Sequence, residues 1–373
     1  MRVLMVSLDR KAFVPGDPAR ERLASYGKVF EELHIIVYAK RDLGLSEERI
    51  ADNVWLYPTN SKGRLSYVLD AIRLARGRSV DIVSGQDLGE TGVAAWRIAR
   101  MLRVPLQLQD HADVFDPYFA RESIGNRVRV LVARFLLPKA DCIRTVLPAG
   151  KDRISAHFPS LEGRIEVLPV YTPTDALRDA RPSFSLHDRY PAFSRIFLMA
   201  SRLVPQKDIG FALRAFAEAD VEGSGLVLVG EGPLKDALME EAVELGIEDR
   251  VVFVPWERDL VPYYKTADLF LLSSAYESYC RTLVEAAAAG LPFVSTDVGV
   301  ASALVGSGAA GTVVAHGDHV AFRNAIRAWS ESGKDAAAAG KGLAAVERLV
   351  GKDENEYRAR YRDTLARCAQ KAV

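Results

Sequence analysis

Two carboxylates eight positions apart, Glu277 and Glu285, and two cations five apart, Arg202 and Lys207, are residues whose types and spacing could do chemistry. Arg202 and Lys207 share a loop between an apolar run and a helical pattern. The positive end of a helix dipole repels cations unless an anion lies between, and a diphosphate supplies one. Glu277 follows the apolar run Leu269 to Leu272, and Glu285 lies in the helix that Thr282-Leu283-Val284-Glu285 predicts as a capping box, with Gly290 and Pro292 closing it. Carboxylates beside a phosphate site take neutral hydroxyls. A ligand with hydroxyls on both sides of a diphosphate is a nucleotide sugar. Spacing alone also fits a structural reading, in which Glu285 only caps and Glu277 is a solvated loop acid.

Glu277 and Glu285, followed by Ala286, Gly290, Pro292 and Gly299, resemble the E-x7-E signature of retaining glycosyltransferases of the GT-B fold, family 4. The resemblance implies that Glu277 meets hydroxyls of the donor sugar, Glu285 the nucleotide ribose, and Arg202 with Lys207, as an R-x4-K pair, the donor pyrophosphate. It also places Ser278, Tyr279, Cys280, Arg281, Thr282 and Leu283, the loop Gly230-Glu231-Gly232-Pro233 and Trp256 around the donor. In the first half, His111 resembles the family's active-site histidine near the reacting carbon, with Asp110 and Asp113 to orient it or bind acceptor hydroxyls. Gln86, Asp87 and Glu90 are further acceptor-site candidates, with a helix cap as their structural reading. The sequence departs from the pattern where ESYC replaces E-G-F-G, where Asp208 follows Lys207 in place of glycine, and where Pro169-Val170-Tyr171-Thr172 replaces P-N-G-V-D. The loop Asp9 to Asp17 has Gly16 as its one glycine, where the family often has a pair near donor phosphate and acceptor.

The chemistry so implied is transfer of a hexose-type sugar to a hydroxyl of a glycan, lipid-linked or small-molecule acceptor, with retention and front-face attack. The sequence has no D-x-D motif, in keeping with a metal-independent reaction in which the donor is a substrate and no cofactor is needed. Other readings are a nucleotide-sugar epimerase on the same scaffold and a catalytically silent binding protein. A dehydrogenase is disfavoured, because no G-x-G-x-x-G follows the first strand.

Strands and helices alternate along the chain, which predicts doubly wound parallel sheets. In the first half the strands are Val3 to Leu8, His34 to Ala39, Asp81 to Ser84, Pro105 to Leu108 and Cys142 to Val146, with helices over Pro18 to Leu33, Arg64 to Arg76, Thr91 to Leu102 and Ile124 to Leu137. After a proline-rich connection, 173–194, come strands Arg195 to Ala200, Gly225 to Val229, Val251 to Val254, Leu269 to Leu272 and Phe293 to Thr296. Asp208 reads as the N-cap of a helix from Ile209. The expected organisation is a Rossmann-like acceptor domain over 1–172 and a nucleotide-sugar domain over 195–352, facing across a cleft, with a terminal helix over about 353–373 returning to the first domain.

A chain of 373 residues exceeds what one core serves. It has no net charge, yet residues 1–172 hold 26 Lys and Arg against 21 Asp and Glu. That excess points the first half toward an acidic surface such as a membrane, and no feature points to nucleic acid. The helix over Ile124 to Leu137 mixes arginines with apolar residues and could lie on an anionic membrane, although such helices more often serve a core and solvate a basic face. Cys142, Cys280 and Cys368 are odd in number and far apart, which suggests a reducing compartment and no disulfide framework. No stretch is apolar enough to span a bilayer. A cytoplasmic enzyme, peripheral to the inner face of the membrane if membrane-bound at all, is the expectation.

Overall fold

The computed structural model describes residues 1–332 and 336–371. The chain forms two compact units, Met1–Pro169 with Asn355–Val373, and Val170–Glu354. The segment 173–194 belongs to the second unit and carries two short helices, Thr174–Asp179 and Leu186–Arg189.

The first unit is built on strands β1 (Arg2–Ser7), β2 (Glu32–Val37), β3 (Glu48–Ala51), β4 (Val54–Pro58), β5 (Ile82–Gly85), β6 (Leu106–Asp110), β7 (Cys142–Thr145) and β8 (Ile165–Val167), in the order β3-β4-β2-β1-β5-β6-β7-β8. All neighbours are parallel except the β3–β4 hairpin. That hairpin answers to no sequence signal read above. The helix expected to run to Leu33 stops at Tyr26, because residues from Glu32 pair with β1 as the second strand. Strand order reverses between β1 and β5, so the loops after β1, β5 and β6 converge at the carboxyl edge, where open α/β sheets take ligands.

The helix Glu354–Lys371 closes this unit, as expected of a terminal helix returning to the first domain. Tyr361 stacks on Tyr26 with centroids 4.8 Å apart and accepts a hydrogen bond from Gln109 Nε2 at 2.8 Å. Tyr357 accepts from Arg144 Nη2 at 2.9 Å and donates to the Pro169 carbonyl at 3.0 Å. Contrary to the expectation of no disulfide, Cys142 on β7 and Cys368 on this helix are bonded, with Cα atoms 5.7 Å apart at a sequence separation of 226. Pairing depends on the face that β7 turns to the terminal helix, which spacing does not encode.

The second unit has six parallel strands, β9 (Arg195–Ala200), β10 (Ser224–Val229), β11 (Val251–Val254), β12 (Leu269–Leu272), β13 (Phe293–Thr296) and β14 (Gly311–Val314), in the order β11-β10-β9-β12-β13-β14. The apolar runs of the four inner strands, β10, β9, β12 and β13, are buried on both sides, as parallel sheets under two helix layers require, while the edge strands β11 and β14 are partly exposed. Phe197 on β9 meets Phe216 of the helix Ile209–Ala219 edge-on at 5.8 Å in the core. The order reverses between β9 and β12, so the loops after those strands, which carry Arg202, Lys207 and Glu277, share one edge. Among the described residues, no helix is long and apolar enough to cross a membrane.

Candidate active site

At that edge of the second unit lies a cavity of about 510 Å³ lined by Ala200, Ser201, Arg202, Lys207, Glu231, Trp256, Glu277, Cys280, Arg281 and Thr282. Lys207 ends the turn Pro205–Lys207, and its Nζ pairs with Glu277 Oε1, the two side chains being 14% and 9% exposed. Ser274 Oγ donates to the same carboxylate oxygen at 2.7 Å. The two loops are pinned together: Ser273 Oγ donates to the Lys207 carbonyl at 2.9 Å, and Gln206 Nε2 to the Tyr276 carbonyl at 2.9 Å. An ion pair this buried has an appreciable desolvation cost, which its hydrogen bonds offset. Arg202 is exposed and lines the same cavity, as do Arg281 and Glu231, so three cations and two acids meet in a concave site.

Several expectations are corrected here. The helix after Glu277 is Arg281–Ala288, two residues earlier than the capping box would have it, and its N-cap position is Cys280 with no side-chain cap. Glu285 therefore caps nothing. Its Oε2 accepts from Tyr264 Oη at 3.1 Å and its Oε1 from Arg281 Nη2 at 3.0 Å, which holds it one turn into the helix and outside the cavity lining. Asp208 stands at the head of the helix Ile209–Ala219 without capping it, and meets His316 Nε2 at 2.9 Å instead. Leu283 is fully buried and Tyr279 nearly so, and neither they nor Ser278 line the cavity.

Gly230 and Gly232 do not line it either. A Cβ on Gly230 would sit 1.8 Å from the Ser201 carbonyl oxygen, and one on Gly232 2.3 Å from that of Leu203. These glycines let one loop pack on the backbone beside Arg202, where Leu203 N donates to the Glu231 carbonyl at 2.8 Å. Their observed role is to support the Arg202 segment. Asp208 (φ 43) and Cys280 (φ 68) occupy the left-handed region, and both stand where the resemblance has glycine. A side chain in that conformation costs roughly 1–2 kcal/mol, so the two departures are where the loop stores strain. Burial first, and the Glu277 charge second, push the Cys280 thiol up to about 12, so it stays protonated and is no nucleophile at neutral pH.

In the first unit, His111 follows β6 and lines a cavity of about 190 Å³ with Asp87, Glu90, Asp110 and Arg129. Its partner is neither Asp110 nor Asp113. His111 Nε2 lies 3.0 Å from Gln109 Oε1, which also accepts from Arg144 Nη1 at 2.7 Å. An amide oxygen only accepts, so Nε2 carries the proton and Nδ1 is the acceptor nitrogen. Asp113 pairs with Arg153, and Asp110 takes the Ala112 amide at 3.2 Å. Asp87 takes the Gly89 amide at 2.6 Å, ahead of the helix Glu90–Leu102. Gly16 has φ 74 and open space around it, so it serves a turn before the helix Pro18–Tyr26. Of the loop expected around the donor, Glu231 is the residue that lines the cavity, and sequence reasoning missed Tyr264 and Ser274 as carboxylate partners, and Gln109 and Arg144 behind His111.

Burial, then the charges of Arg144 and Arg22, lower the His111 pKa to about 3. The native ring thus refuses a proton that the unfolded chain binds near pH 6.5, and its contribution is lost as pH falls from about 6.5 toward 3, at about 1.4 kcal/mol per unit. Burial raises Asp110 to about 7 and Asp113 to about 6. Their contributions run the other way, present in acid and lost as pH rises through those values. The imidazole signals of His111 should show no NMR titration between about pH 5 and 8. A midpoint near the free value would mean that the ring is solvated and the Gln109 contact absent.

The glycosyl transferase 4-like domain family matches residues 33–170, and the glycosyl transferases group 1 family matches residues 190–343. The chain is a glycosyltransferase-family protein of GT-B fold. The crystal structure of Anabaena Alr3699/HepE in complex with UDP has a TM-score of 0.78 over 98% of this chain and 100% of that one, at 22% identity, a likeness of fold. Alpha-monoglucosyldiacylglycerol synthase of Streptococcus pneumoniae is 27% identical over 243 residues, 60% of this chain and 54% of that protein. The D-inositol 3-phosphate glycosyltransferase of Nocardia farcinica is 39% identical over 121 residues, 32% of this chain and 26% of that protein. The chain spans about half or less of the length of these curated relatives.

Proposed function

We propose that this GT-B protein transfers a hexose-type sugar from a nucleoside-diphosphate sugar to a hydroxyl of a glycan, lipid-linked or small-molecule acceptor, with retention and without a metal. The observation that carries the reading is the Lys207–Glu277 pair, with Arg202, in one cavity at the point where strand order reverses. In the reaction the bond from the anomeric carbon to the phosphate oxygen breaks and the acceptor oxygen bonds to that carbon on the same face. The acceptor proton goes to the leaving phosphate oxygen. Lys207, Arg202 and the N-terminus of Arg281–Ala288 offset the charge that develops there. Glu277 accepts from sugar hydroxyls, and Glu285, held by Tyr264 and Arg281, from the ribose. His111 presents a neutral ring to the acceptor half of the reaction.

The complex of HepE with UDP makes uridine donors the first to test. A thermal-shift panel of UDP-, GDP- and ADP-sugars should give one base a rise in Tm that grows with the logarithm of donor concentration. Incubation of that donor alone should return it unchanged, and addition of a hydroxyl acceptor should release the nucleoside diphosphate. No shift from any donor overturns the reading, and conversion of the sugar without acceptor replaces it by epimerisation.

A further inference from the structure

The helix Ile124–Leu136 has two apolar faces. One, with Ala133 and Leu136, is buried against its unit, beside Asn126, whose Nδ2 donates to the Phe119 carbonyl at 3.0 Å. The other is a stripe at spacings of four, three and four, Ile124, Val128, Leu131 and Phe135, exposed by 78%, 52%, 64% and 51%. A helix that only serves a core solvates polar residues on its outer face. Here the outer face is apolar and rimmed by the exposed Arg127 and Arg134, and Lys139 Nζ lies 3.8 Å from the centroid of the Phe135 ring.

The neighbouring helices continue the pattern. The connections β4 to β5, β5 to β6 and β6 to β7 all advance the same way across the sheet, so right-handed crossovers put their helices in one layer. Leu65 and Leu69, at 99% and 65% exposure, stand at the head of the first of these helices. Segments 62–78, 90–103 and 121–139, which hold the layer, carry 13 Lys and Arg against three acids, Asp70, Glu90 and Glu122. Asp70 is paired with Arg73 at 2.8 Å and Glu90 lies 4.0 Å from Arg129.

We propose that this helix layer of the first unit docks on an anionic lipid bilayer, with Ile124, Val128, Leu131 and Phe135 entering the headgroup boundary and the surrounding arginines and lysines on lipid phosphates. Exposed apolar side chains inside a field of one sign match a surface that is acidic outside and apolar beneath. A second copy would bring the same excess of cations against itself. The inference goes beyond donor chemistry and does not depend on it.

The test uses the full chain and vesicles of phosphatidylcholine alone or mixed with phosphatidylglycerol, read by flotation. The unmodified chain should float with the anionic vesicles, stay behind with the neutral ones, and dissociate as salt is raised. Arg127→Gln with Arg134→Gln should lower partitioning roughly thirtyfold, each cation being worth about a fivefold factor near an anionic leaflet. Leu131→Glu with Phe135→Glu should abolish binding at unchanged Tm. Absence of binding, equal binding to neutral vesicles, or folded variants that bind like the parent overturn the proposal. So does a dimer in solution that these variants dissociate. The salt series needs no variant and decides the electrostatic part if a variant fails to fold.

Discussion

Replacing Lys207 by alanine is expected to lower kcat/KM for sugar transfer by roughly 10²–10³-fold, the loss that follows removal of one preorganised group facing developing negative charge. The ammonium has two duties in this structure. It balances Glu277, which is 9% exposed, and it is the most enclosed cation of the cavity, Arg202 being exposed. Removing it leaves a carboxylate with Ser274 as its remaining side-chain partner, in the cavity proposed above for the donor diphosphate. The variant should therefore melt earlier as well, since a buried charge stripped of its partner destabilises by up to about 3–5 kcal/mol. The two duties separate in Lys207→Ala/Glu277→Gln. The double variant should regain most of the lost Tm and none of the lost transfer. A double variant that recovers transfer would show that Lys207 only neutralises its neighbour.

Arg144→Met is expected to cost about 3–5 kcal/mol, and so to lower Tm by roughly 10 °C in a unit of this size. Arg144 is 3% exposed on β7 and has no carboxylate among its partners; its charge is spread over neutral acceptors. Nη1 donates to Gln109 Oε1 at 2.7 Å, and Nη2 to the carbonyls of Leu168 and Pro169, each at 3.0 Å, and to Tyr357 Oη at 2.9 Å. Methionine keeps the stem and withdraws all the donors: the buried Leu168 carbonyl loses its guanidinium partners outright, while Gln109 Oε1 and the Pro169 carbonyl are each reduced to one donor, His111 Nε2 and Tyr357 Oη. Urea unfolding of the two proteins measures the difference. A change below about 1 kcal/mol would mean that water replaces the guanidinium and that Arg144 does not lock the terminal helix to the sheet.

The strands Arg195–Ala200, Val251–Val254, Leu269–Leu272 and Phe293–Thr296 coincide with apolar runs bounded by polar residues, which is the local signal of a buried parallel strand. The grouping of Arg202, Lys207 and Glu277 was legible for a related reason: each sits directly after such a run, and a parallel sheet delivers its strand ends to one edge. What stayed illegible depends on contacts distant in sequence. The left-handed conformations of Asp208 and Cys280 are imposed by the loops around them, so a capping pattern read locally gave the wrong helix start. Arg144 reads as a polar interruption of a strand until the terminal helix supplies Tyr357. Gly230 and Gly232 look like ligand-approach glycines until the Ser201 and Leu203 carbonyls are seen against them.

The polypeptide leaves its first unit at Pro169 and re-enters it at Asn355. A ribosome therefore releases the helix that covers Tyr26, Gln109 and Arg144 only after the whole second unit has emerged. Until then the nascent first unit has a sheet face without its lid, and a chain cut short by about twenty residues would injure the beginning of the protein more than its end.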